Sequence, residues 1–327
     1  MRIDRRRIAA VGALRGDATE VVELPGTTLL PGFIDAHVHI ALADPASVVS
    51  GGVTTARDLA WPPGEIWPLV ERSRDELFDG PRLLAAGQML TVAGGYPTRA
   101  GWAPADTGRV VSDPDDAGHA VAEQARAGAC VIKVALNEEV GPTLDQDVLH
   151  AIVRAAHITG LRVTGHVTGM KDLSRALDAG VDELAHMLMS NERIPRKTIA
   201  QMVDHDMTVV PTLSCRFGGD LDTAIGNLAE FLDAGGRVVY GTDLGNEGPE
   251  PGIDHREIAS MVHAGMSGRQ IIASATVESA RWLGLPDTGV IVPGARADLI
   301  AVAGDPLSDP STMTNVAAVW RGGRRIV

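Results

Sequence analysis

Gly32-Phe33-Ile34-Asp35-Ala36-His37-Val38-His39 is the stretch whose reading decides the fold. Its apolar residues suit a strand buried on both faces. His37 and His39 stand at i and i+2, and a strand turns such side chains to one face, so both can reach one metal ion. Histidines at the C-terminal end of a parallel strand lie where α/β barrels build their sites. The stretch therefore predicts a first barrel strand over Thr28–Ile40 with a metal site at its end.

The rest of the chain repeats that logic. Further apolar runs, Val53–Leu59, Arg82–Gln88, Ala129–Ala135, Arg162–His166, Val181–His186, Thr208–Thr212 and Arg237–Asp243, alternate with helical patterns such as Asp113–Ala127, Asp145–Thr159, Met170–Ala179 and Ile194–Asp204. Gly128, Gly160 and Gly180 stop three of these helices before the next strand. Alternation of this kind predicts βαβ units and a parallel sheet. An open doubly wound sheet is the competitor, but no G-x-G-x-x-G turn follows an early strand. The reading is an α/β fold, a (β/α)₈ TIM barrel over residues 28–287. Residues 1–27 and 288–327, with short runs such as Ala297–Ala303 and Val316–Trp320, are assigned to one small β-sandwich built from both termini.

Lys133 carries the most information. It is one of only three lysines in the chain and lies between Ile132 and Val134, where a bare ammonium is costly unless paired or neutralised. Carboxylation by CO₂ would give a carbamate able to bridge two metals; snorkelling to solvent is the bland alternative. His166, His186 and Asp243 each end a candidate strand. Singly, each has an ordinary explanation as a hydrogen-bonded imidazole or a helix cap. Together with His37, His39 and Lys133 they read as a metal site. His119, His150, His157 and His205 fall on the outer helices and read as solvated surface.

Bulk properties narrow the partners. With 45% hydrophobic and 22% charged residues the chain can bury a sizeable core. A formal net charge of −13 argues against nucleic acid or an anionic membrane as the main partner, which leaves a small-molecule substrate, with a homo-oligomer open. Cys130 and Cys215 make neither a disulfide framework nor a thiolate metal site, so a reducing cytoplasm is the expected compartment. Arg5-Arg6-Arg7 before Ile8–Leu14 loosely suggests an export signal. The apolar stretch is short, contains Gly12, is closed by Arg15 and leads to no clear cleavage site, so it reads as a strand fragment.

With these residues in place, the sequence resembles the amidohydrolase superfamily, in particular its imidazolonepropionase-like and prolidase-like (Xaa-Pro dipeptidase-like) branch. The resemblance rests on Leu30–His39, on Gly52-Val53-Thr54-Thr55-Ala56-Arg57-Asp58, on Val131-Ile132-Lys133-Val134, and on Gly294–Ile300 with Gly304-Asp305-Pro306. It implies His37, His39 and Asp243 on a more buried metal, His166 and His186 on a more exposed one, and carboxylated Lys133 with a hydroxide bridging the pair. It implies Asp243 as the catalytic proton shuttle and Asp35 as a residue orienting a ligand imidazole. Zinc suits the donor set, with manganese, cobalt and iron as alternatives. The implied activity is hydrolysis of an amide in a dipeptide, N-acyl amino acid or cyclic amide. An ester, lactone or phosphoester is the nearer alternative, and a non-catalytic scaffold the more distant one.

Three departures stand out. The N-terminal portion begins close to Ile8, implying a reduced companion domain or a shortened start. The segment between His39 and Gly51 leaves little room for a first helix. Gly94-Gly95-Tyr96-Pro97 carries tyrosine where relatives often have histidine. Tyr96, Arg99, Arg216 and His255 are the candidate substrate contacts, an arginine among them being suited to a substrate carboxylate.

Overall fold

The computed structural model describes residues 1–327 except Arg15, Asp17 and Phe217, so the Arg15 boundary lies outside the described residues. The predicted run Thr28–Ile40 is two strands, not one. Thr27–Pro31 pairs antiparallel with Leu299–Ala303, whereas Phe33–Val38 pairs parallel with Val53–Asp58. The break falls at Gly32, where any Cβ would overlap the Thr54 side chain. Glycine alone lets the chain cross from one layer to the other there.

From Phe33 the chain winds a barrel. Its strands are Phe33–Val38, Val53–Asp58, Arg82–Ala85, Ile132–Leu136, Val163–Val167, Glu183–Leu184, Thr208–Val209 and Arg237–Val238. Neighbours pair in parallel. The ring closes through the backbone. Ala36 N–H donates to Tyr240 and Asp243 N–H to His37, joining the first strand to the eighth, while Cys130 N–H donates to Ala85 across the third and fourth. The third strand also departs from its predicted extent. It breaks after Ala85 and resumes as Met89–Thr91, which lies between Ile132–Leu136 and an added strand, Gly108–Val110. That addition reshapes one side of the barrel mouth.

The helices follow the sequence closely. Pro114–Ala127 starts on Asp113, whose carboxylate accepts from Asp115 and Asp116 N–H, and stops at Gly128 with φ +102°. The first helix is one short piece, Pro45–Ser50, capped by Asp44, as the brief segment after His39 requires. Gln146–Ile158 and Met170–Ala179 cover their strands with buried faces of Val148, Ile152, Leu173 and Leu177.

The termini form one companion layer. Thr27–Pro31, Leu299–Ala303, Val316–Arg321 and Arg324–Arg325 make a four-stranded antiparallel sheet, and Arg2–Asp4 with Arg7–Ala10 makes a hairpin against it. Ile8, Ala297, Leu299, Ala318 and Trp320 fill the space between. The export-like Arg5–Leu14 stretch thus contributes a buried strand residue. Among the described residues no helix is long and apolar enough to cross a membrane.

Candidate metal centre

All six candidate ligands arrive at the C-terminal mouth of the barrel, and all are buried. His37 and His39 extend from the end of the first strand on one face. Their Nε2 atoms lie 3.1 and 3.3 Å from Asp243 Oδ1. One donor atom from each of His37, His39 and Asp243 fits within 4.8 Å, a spacing that can hold a metal ion. Asp243 reaches them from a left-handed turn, φ +61°, uncommon for a residue other than glycine and typical of functional sites. Across the mouth His166 Nδ1 lies 3.0 Å from His186 Nε2. Two aromatic nitrogens that close need a proton or a cation between them.

The outer nitrogens are already engaged. His37 Nδ1 is 2.8 Å from the Ala185 carbonyl, His39 Nδ1 3.2 Å from the Ala60 carbonyl, and His186 Nδ1 2.8 Å from Thr212 Oγ1. Bonds of this kind fix ring orientation and tautomer, as second partners of metal-bound histidines do. Burial, and then the Lys133 charge, hold His37 and His166 well below the usual histidine range. Burial followed by His37, His166 and Lys133 does the same for His186. These are neutral imidazoles with lone pairs to offer. At His39 burial pulls down too, but the Asp243 hydrogen bond and charge, aided by Asp58, win and raise it.

Lys133 lies two residues deeper than His166 in the strand register, level with Thr164. It is 1% exposed, and its Nζ has no hydrogen-bond partner. Burial drives its pKa down to about 7, against the opposing pull of Asp243 and Glu183. Its charge bears on all four histidines and on Asp243, so the unpartnered amine sits among them. A buried amine without a partner, close enough to feel four histidines and a carboxylate, is a residue that a carbamate would suit.

Asp35 corrects one expectation. Its carboxylate accepts from His37 N–H at 3.0 Å and from Thr242 N–H and Oγ1 at 3.2 and 2.7 Å. It fastens the first strand to the eighth and touches no ligand imidazole. Burial lifts it to about 7.

The four candidate substrate contacts separate. Tyr96 stacks on His166, with centroids 4.5 Å apart and planes at 19°. Burial pushes its hydroxyl well above the usual tyrosine range. Arg216 is buried, donating Nη1 to the Leu188 carbonyl at 2.8 Å and Nη2 to the Met187 carbonyl, and so ties the loop after His186. Arg99 is exposed beside Gly94. His255 opens the helix His255–His263, exposed, with Nδ1 3.7 Å from Glu250, and makes no contact with the cluster among the described residues. His119, His157 and His205 are exposed and His150 half-buried.

Several site residues were not singled out from the sequence. Trp102 packs on His39 at 4.6 Å and donates Nε1–H to the Tyr96 hydroxyl at 3.1 Å. Asn137 Nδ2 lies 3.3 Å from His166 Nε2. Cys215 brings its sulfur within 4.8 Å of donor atoms of His186 and Asp243, although both cysteines are free. Position after the fourth and seventh strands was the available signal for Asn137 and Cys215. Nothing local marks Trp102.

A closed parallel barrel with this donor set at its C-terminal mouth defines a metal-dependent hydrolase. The chain belongs to the amidohydrolase family, whose model matches residues 28–326. It is 30% identical to an uncharacterized protein of Mycobacterium tuberculosis, over 91% of this chain and 85% of that one. It is 29% identical to adenine deaminase 2 of Rhizobium meliloti over 88% of this chain but 47% of that protein. Among solved structures it is similar to a Xaa-Pro dipeptidase with bound methionine, at 26% identity and a TM-score of 0.84, covering 99% of this chain and 93% of that one.

Proposed function

We propose that the protein hydrolyses an amide bond, in a dipeptide, an N-acyl amino acid or a cyclic amide, at a binuclear centre. The observation that carries this reading is Lys133, a buried amine with no partner among the site histidines. His37, His39 and Asp243 would hold one divalent ion and His166 and His186 the other, with the carboxylated Lys133 between them. Zinc fits the donors best. When bound, such ions make water nucleophilic near neutral pH and polarise the substrate carbonyl.

The chain's own groups account for the rest. Asp243, whose carboxylate spans His37, His39 and, at 3.8 Å, His186, takes the proton of the attacking water and returns it to the leaving nitrogen. Burial excludes bulk water from the ligands. The similarity to a Xaa-Pro dipeptidase favours a dipeptide within the amide class. Residues 28–287 are read as the hydrolase unit, and 1–27 with 288–327 as its companion. Two unpaired cysteines suit a reducing compartment such as the cytoplasm.

The test is elemental analysis of chelator-free protein followed by an amide panel with matched esters. About two metal equivalents and faster turnover of amides support the reading. No metal after incubation with zinc and bicarbonate would sink it, and turnover of esters alone would move the substrate class.

A further inference from the structure

The segment between Met89–Thr91 and Gly108–Val110 builds an aromatic wall over the ligands. Tyr96 lies flat on His166, and Trp102 packs on His39. The hydrogen bond from Trp102 Nε1 to the Tyr96 hydroxyl has a fixed direction, because an indole N–H only donates. The Tyr96 oxygen accepts, and its own proton is left over. Among the described residues that hydroxyl donates to no group.

Among the other donors on this side, Arg216 Nε and Lys133 Nζ have no partner but belong to cationic groups. Both Arg216 Nη groups bind the Met187 and Leu188 carbonyls, and Asn137 Nδ2 faces His166. Tyr96 is therefore the neutral donor still free beside His166, with its ring held by stacking and its oxygen held by Trp102.

We propose that the Tyr96 hydroxyl donates a hydrogen bond to the scissile carbonyl oxygen and stabilises the charge that develops on it, with Trp102 as its positioning residue. The inference rests on the amide-hydrolysis reading. In the step concerned, the water oxygen bonds to the carbonyl carbon, the π pair moves onto the carbonyl oxygen, and the water proton passes to Asp243. Tyr96 keeps its proton while its hydrogen bond strengthens. The C–N bond then breaks, and nitrogen leaves with the electron pair and the proton from Asp243. A preorganised donor at a developing oxyanion is worth about 10²- to 10³-fold in kcat.

The experiment compares wild type, Tyr96→Phe and Trp102→Phe, all zinc-loaded, with L-methionyl-L-proline and N-acetyl-L-methionine as substrates. Binding of N-methylphosphonate-L-proline, a tetrahedral mimic, is measured by calorimetry. Phenylalanine retains the stack on His166, so a wall that only packs predicts no change. The donor role predicts unchanged metal content and KM within about threefold, with kcat and phosphonate affinity both down about 100-fold in Tyr96→Phe. Trp102→Phe should lose about tenfold in kcat. Wild-type turnover with an equally active Tyr96→Phe overturns the donor role and leaves the amide reading standing. Metal-loaded wild type that neither cleaves the substrates nor binds the phosphonate overturns both.

Discussion

Two clusters of buried charge sit close together in this barrel and obey opposite rules. In one, Glu183 accepts Arg57 Nη2 at 2.6 Å and the Trp282 indole N–H, while Arg57 Nε donates to the Ala36 carbonyl at 2.7 Å. Both charged side chains are almost fully buried. In the other, which lies around His186, three residues further along the strand from Glu183, Lys133 Nζ has no hydrogen-bond partner. An isolated buried charge is expensive, and a paired, hydrogen-bonded one is tolerated. The first cluster is complete as it stands. The second leaves the Lys133 amine unpaired, and that difference separates a structural ion pair from a candidate site.

The largest effect should come from Asp243, the proposed proton carrier. Asp243→Asn should lower turnover about 10³-fold or more with an unchanged circular dichroism spectrum; an unchanged rate would remove Asp243 from the chemistry. Breaking the complete cluster should act on stability. Glu183→Ala strands Arg57 and should cost about 3–5 kcal/mol by urea unfolding, while Arg57→Met with Glu183→Leu should recover much of it. A double variant as unstable as the single one would mean the pair contributes more than mutual compensation.

Glu257 tests the comparison from the shoulder of the site. It is fully buried, accepts from Ser214 N–H at 2.7 Å, and burial raises its carboxyl to about 8. A carboxyl raised in the folded state binds more protons there than in the unfolded chain. Its contribution is therefore fully present below about pH 4.5 and is lost as pH rises through about 8. Glu257→Gln should flatten that fall, by on the order of 2 kcal/mol between pH 5 and 8, in urea midpoints at the two pH values. Equal slopes would show that Glu257 does not titrate there. The smallest effect is the most discriminating. Lys133→Met should leave the metal-free protein as stable or about 1 kcal/mol more stable, yet lower metal stoichiometry. A large loss of stability without metal would make Lys133 a structural residue.

How much of this was legible follows the reach of each signal. His37, His39, Lys133, His166, His186 and Asp243 could be picked out as candidates because strand periodicity and strand ends are local patterns, and the barrel brings those strand ends together. Asp35 shared the strand face of His37 and His39 and so looked like their orienting partner. In the fold Thr242, 207 residues away, takes its carboxylate. The run Thr28–Ile40 looked like one strand because both halves are apolar, and only the distant partners, Leu299–Ala303 for one half and Val53–Asp58 for the other, divide it.

The sequence by itself determined the barrel and the candidate ligands at its strand ends, through apolar runs bounded by glycine stops and through residues such as Lys133 that are costly to bury alone. Tertiary structure decided which charges are satisfied. Arg57 finds Glu183, Asp35 finds Thr242, and the two Arg216 Nη groups reach the loop after His186. The physical reason is that a hydrogen bond is a short-range, directional contact, and its partners here lie on different strands and loops that meet only when the barrel closes.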